Sequence, residues 1–81
     1  MRVKVRFFAL YREKLGVSEA VVGLKEGDVV ATLVETLRKQ FPQLSDLSLP
    51  MITAVNAEYV DEQFRLRDGD EVALIPPVSG G

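Results

Sequence analysis

The chain has 81 residues, 47% of them apolar, and contains neither cysteine nor histidine. It is therefore one domain near the lower end of what folds without staples, and its hydrophobic core must hold it together unaided by disulfides. The formal net charge of −2, from 10 basic and 12 acidic residues with interspersed signs, matches neither a nucleic-acid-binding nor a membrane-surface field.

Composition also excludes most catalysis. Without His or Cys there is no Ser–His or Cys–His nucleophile pair and no thiolate. Glu26-Gly27-Asp28 and Asp68-Gly69-Asp70-Glu71 read as turn chemistry rather than as acid–base pairs. The second cluster lacks the spaced ligands and terminal Glu of a calcium loop, so no metal is expected. There is no glycine-rich phosphate loop. The N-terminus alternates charge with apolar residues, so no signal peptide is expected, and no apolar run approaches the ~20 residues of a membrane-spanning helix. The expectation is a soluble cytoplasmic protein, acted upon by others, with no nucleic-acid or membrane partner.

Residues 2 to 8, RVKVRFF, alternate strictly, with Val3, Val5 and Phe7 on one face and Arg2, Lys4, Arg6 and Phe8 on the other. That is a half-buried strand. ALYREKLGVS reads as a long connection, after which Ala20, Val22 and Leu24 repeat at period two as a second strand. From Asp28 the period changes: Val30, Leu33, Val34, Leu37 and Phe41 mark one face of a helix over about Val29 to Phe41. Asp28 is the expected N-cap, and Pro42 ends the helix by disfavouring helical geometry at Phe41.

PQLSDLSLP is a connection with room for one short helical turn. Residues 51 to 60, MITAVNAEYV, suit a strand broken near Asn56 by a tight turn. Residues 67 to 70 form a turn, and EVALI at 71 to 75 is the last strand, with Val72 and Leu74 on one face and Glu71, Ala73 and Ile75 on the other. Pro76 and Pro77 have no N–H for a ladder, so the chain leaves the sheet there. The expected core is Val3, Val5, Phe7, Val22, Leu24, Leu33, Leu37, Val72 and Leu74. One main helix covers one face of a mixed sheet and leaves the other wet. This is an α+β layout of the β-grasp type, with the first and last strands parallel neighbours. The domain is expected over residues 1–75, with an extended tail over 76–81 ending in Gly-Gly.

FFALYRE at 7 to 13, AVN at 54 to 56 and DGDEVALIPPVSGG at 68 to 81, with the intervening helix, closely resemble the small subunits of molybdopterin synthase. These are ubiquitin-like sulfur carriers of molybdenum-cofactor synthesis. The likeness runs from the first strand to the final glycine, and its most specific part is the last segment. The sequence departs from that family at Leu74-Ile75, where aromatic residues are common, and at Val29, where Thr is frequent. The resemblance implies that the carboxylate of Gly81 is adenylated by an E1-like enzyme using ATP, then converted by a sulfur donor to a thiocarboxylate, a 1-thioglycine. It implies docking to the large synthase subunit, in a heterotetramer, and sulfur transfer to a pyranopterin precursor to form a dithiolene. It further implies a carrier that binds no cofactor itself and is not catalytic alone.

The residues give a physical reason for such a design. A carboxylate with a pKa near ~3.5 is ionised at neutral pH and a poor electrophile, so a chain without base or metal needs activation from outside. Gly80 and Gly81 lack a Cβ and can pass close to a partner's walls, while Pro76 and Pro77 reduce the ordering entropy lost on docking. Val78 and Ser79 complete the tail. The bland alternative is a frayed terminus.

Strand parity makes Phe8 and Ile75 outward-facing, and the family likeness makes them, with Tyr59, a docking patch for the large subunit. The competing account has a bulge after Arg6 turning Phe8 inward and the others as ordinary surface apolars. Two other functional classes stay open: a carrier for another route, such as thiamine thiazole formation or modification of lysines through Gly81, and a non-covalent β-grasp interaction module.

Overall fold

The alternation at the start of the chain becomes β1 (Arg2–Phe7) in the computed structural model, which describes residues 1–46 and 51–76. Val3, Val5 and Phe7 are buried while Arg2, Lys4 and Arg6 are exposed. β2 (Glu19–Gly23) pairs antiparallel with β1, setting Val22 opposite Val3. On its other side β1 pairs in parallel with β5 (Glu71–Ile75), with Val72 opposite Val5 and Leu74 opposite Phe7. The stretch from 51 to 60 divides as expected into β3 (Ile52–Val55) and β4 (Glu58–Val60). Asn56 and Ala57 join them, both in the left-handed region at φ 49° and 72°, which suits the twist of a two-residue hairpin. The sheet order is β2-β1-β5-β3-β4, a mixed five-stranded β-grasp sheet.

Two helices fill the covered face. The first, α1 (Ala9–Leu15), occupies the stretch read from the sequence as a long connection. It is rich in good helix formers, Tyr11 is completely buried, and Leu15, one turn later, packs against the core. Gly16 closes it at φ 73°, a conformation glycine adopts without steric cost, and donates its N–H to the Arg12 carbonyl at 2.9 Å. The second, α2 (Val30–Gln40), buries Val30, Leu33 and Leu37. It ends before Pro42, where Phe41 is already non-helical.

Asp28 is not its cap. The cap position is Val29, with no side-chain bond, and the Asp28 carboxylate instead accepts the Lys25 N–H at 2.9 Å within the preceding turn. The first helical N–H groups are satisfied from elsewhere in the chain. Val30 and Ala31 donate to the carbonyls of Phe64 and Glu62, and the Leu66 N–H returns to the Asp28 carbonyl. A crossing backbone segment has replaced the side-chain cap.

The expected core residues are buried with one correction: Leu24 is half-buried at the margin. Tyr11, Val30, Leu44, Val55 and Leu66 join the cluster, Leu44 being carried in by a 3₁₀ turn at Pro42–Asp46. Phe7 and Phe41 meet edge to face, with centroids 5.7 Å apart. The Tyr11 hydroxyl is buried without a hydrogen-bond partner among the described residues. Burial raises its pKa, and the positive charge of Arg38 pulls the other way to a lesser extent. Both acidic clusters form turns; Asp68 accepts the Arg2 N–H and Asp70 the Arg67 N–H, each at 2.8 Å. No helix among the described residues is long and apolar enough to cross a membrane. β5 ends at Ile75 and Pro76 lies beyond it, outside any strand.

Candidate functional site

The face of the sheet away from the helices carries a shallow apolar groove of about 410 Å³. Its floor follows from register. Ala73 on β5 lies opposite Ala54 on β3, and Ala54 lies opposite Tyr59 on β4. On the other flank Ala73 faces Arg6 on β1. Two methyl side chains at the centre leave a depression between larger neighbours. Ala54 shows how well the floor is sheltered: it points away from the core yet is only 6% exposed.

Phe8, Ile75 and Tyr59 stand around this floor. Phe8 follows β1 and remains extended, at φ −119° and ψ 153°, so strand parity continues through it. It is 39% exposed, whereas Phe7 beside it is 2% exposed in the core. No bulge turns Phe8 inward. Immediately after it the chain turns sharply, Ala9 taking φ 49°, which is uncommon for a residue with a Cβ. Ile75 is half-buried, and Tyr59 is 77% exposed on the short edge strand β4.

Polar groups form one end of the groove. Arg6 reaches Glu71 with Nη1 to Oε1 at 3.1 Å, and its guanidinium carbon lies 5.8 Å from the Phe8 ring centroid. Asn56 ties the hairpin to the start of β5: its side-chain oxygen accepts the Glu71 N–H at 3.1 Å, and its amide donates to Asp70 at 3.0 Å. Its backbone N–H donates to the Glu71 carbonyl at 2.8 Å. The groove thus offers an apolar floor, two aromatic walls and a satisfied polar rim. Such a surface suits docking, since the charged groups lining it are already engaged with each other.

The structure therefore brings Phe8, Tyr59 and Ile75 together, with half-buried Pro76 next along the chain. Pro77, Val78, Ser79, Gly80 and Gly81 lie outside the described residues. Sequence reasoning did not find Ala54 and Ala73 as the floor, nor Arg6, Asn56, Ala57 and Glu71 as lining. Outward parity singles out Arg6, Glu71 and Ala73; only strand order brings in the rest.

Known proteins resemble this chain in sequence and in fold. The ThiS family model matches residues 5–81. The molybdopterin synthase sulfur carrier subunit of Chlamydomonas reinhardtii is 41% identical over 83 residues, with both chains covered in full. A Pyrococcus furiosus protein assigned as subunit 1 of molybdopterin converting factor superposes with a TM-score of 0.88 at 34% identity, over 96% of this chain and 99% of that one. SAMP1 from Haloferax volcanii, a small archaeal modifier protein, gives a TM-score of 0.90 at 25% identity with both chains covered in full. The chain belongs to the ThiS family, and molybdopterin synthase sulfur carrier subunits match it from end to end.

Proposed function

We propose that this chain is the sulfur-carrier subunit of a molybdopterin synthase, non-catalytic by itself. The observation that carries the reading is the end-to-end match to such a subunit at 41% identity. The terminal carboxylate of Gly81 attacks the α-phosphate of ATP on an E1-like activating enzyme, releasing pyrophosphate and leaving an acyl adenylate. Sulfur at the sulfide level, delivered as hydrosulfide by the donor, then attacks the acyl carbon. The acyl–phosphate C–O bond breaks, AMP departs, a proton is lost, and the terminus becomes a thiocarboxylate. Residues 1–75 act as the handle and 76–81 as the probe that delivers sulfur within the large subunit to a pyranopterin precursor. No resident metal or cofactor enters the scheme, and every step belongs in the cytoplasm.

The groove gives the handle a grip beside the root of the probe. Ile75 lines it and Pro76 follows directly, so a partner covering Phe8, Ile75 and Tyr59 sits beside the root of the tail. Small apolar centres with polar rims concentrate binding energy in this way. Deleting Gly81 tests the scheme in a reconstitution containing the activating enzyme, ATP, a sulfur donor, the large subunit and the precursor. Dithiolene formation should vanish while the melting temperature stays unchanged. A truncated chain that still delivers sulfur would overturn the proposal. The likeness to a small archaeal modifier protein favours a second reading, attachment through Gly81 to lysines of other proteins. Lysine-linked adducts formed in the same mixture would support it.

A further inference from the structure

We propose that Arg6 is a positioning residue for the docking groove, acting through Phe8. The inference rests on the groove being the partner's site. The Phe8 ring is only partly covered, at 39% exposed. Phe8 follows the last residue of β1, its backbone passes at once into the left-handed Ala9, and its side chain is partly exposed beside an apolar floor.

 An unrestrained ring in that place would fall onto Ala73 and Ile75 and bury itself in the groove, because covering apolar surface is favourable whichever group does the covering. The groove would then be filled by its own wall.

Arg6 opposes that collapse. Its guanidinium sits 5.8 Å from the centre of the Phe8 ring, inside the range of cation–π attraction. The same guanidinium is anchored through Nη1 to the Glu71 carboxylate at 3.1 Å. Glu71 is fixed in turn, its backbone N–H and carbonyl both bonded to Asn56. A chain of contacts thus runs from the hairpin that carries Tyr59, through β5, to the ring of Phe8 on the opposite wall. In the free protein Arg6 and Glu71 are about half exposed, so the pair adds little to fold stability. Its effect on the ring strengthens when a partner covers the groove and excludes water.

A double-mutant cycle with the full chain and the large synthase subunit tests this, using Arg6→Gln, Phe8→Ala and the combined variant. Arg6→Gln should weaken binding roughly 3- to 30-fold, the range that cation–π contacts span between exposed and desolvated sites. In the Phe8→Ala background the same change should have almost no further effect. The methyl resonances of Ala73 and Ile75 should shift in free Arg6→Gln, reporting the ring's movement, with the melting temperature nearly unchanged. Equal weakening by Arg6→Gln in both backgrounds would overturn the inference, as would unchanged binding alongside a damaging Phe8→Ala. If Phe8→Ala itself leaves binding intact, the groove is not the partner's site, and that reading fails first.

Discussion

Phe7 and Phe8 are chain neighbours with opposite surroundings, so replacing each in turn separates folding from docking. Phe7 is 2% exposed and packs edge to face on Phe41. Truncation to Ala removes the buried ring and leaves a cavity, a loss of about 3–5 kcal/mol. That is a large share of the ~5–15 kcal/mol that holds a domain together. At roughly 4 °C or more per kcal/mol for a domain of this size, the melting temperature should fall by at least about 12 °C. Phe8 is 39% exposed on the open face, where removing it leaves no enclosed cavity. Phe8→Asp should therefore cost the fold only about 1 kcal/mol. It should weaken the complex with the large subunit by more than ~2 kcal/mol, because it replaces an aromatic wall of the apolar groove with a charge. Thermal melts and binding titrations on both variants measure the two effects separately. Phe8→Asp unfolding the domain, with Phe7→Ala acting mainly on binding, would refute the assignment of faces.

Leu37→Ala, at a fully buried α2 position, should destabilise by about 2–5 kcal/mol in denaturant titrations. Asn56→Ala should cost about 1–3 kcal/mol by the same measurement, since φ 49° disfavours Ala and the bonds to Asp70 and Glu71 are lost. Tyr11→Phe removes a buried hydroxyl without a partner among the described residues, so stability at neutral pH should hold or rise by up to about 2 kcal/mol. Burial raises the folded-state pKa of Tyr11, so its contribution is fully present below the ordinary tyrosine value near ~10 and is lost as pH climbs through the folded value. Melts taken across that alkaline window should show a shallower decline for Tyr11→Phe than for the parent.

What the sequence disclosed depended on how local the cause was. Alternation in β1 and β5 and the three-and-four spacing of α2 are set by which face meets the core, and each was readable from a few neighbouring residues. α1 was not. Its seven residues bury only Tyr11, and the chain enters it through a left-handed Ala9 with no side-chain cap, so the usual start signal is missing. Asp28 had the right chemistry for a cap, but carbonyls from Glu62 and Phe64 reached the helix start instead. That competition is a tertiary contact, invisible to local pattern. The groove divides in the same way. Parity placed Phe8 and Ile75 outward, while the floor exists because β5 and β3 pair with Ala73 facing Ala54. Two alanines far apart in sequence give no hint of that until the strand order is known.

In the proposed function, Gly81 carries sulfur on its carboxylate. Intact-mass analysis of the chain after incubation with the activating enzyme, ATP and a sulfur source tests it most directly. The expected result is a gain equal to the replacement of one oxygen by one sulfur, localised by fragmentation to the C-terminal glycine and dependent on ATP. An unchanged mass under conditions in which the activating enzyme charges a known carrier would contradict it.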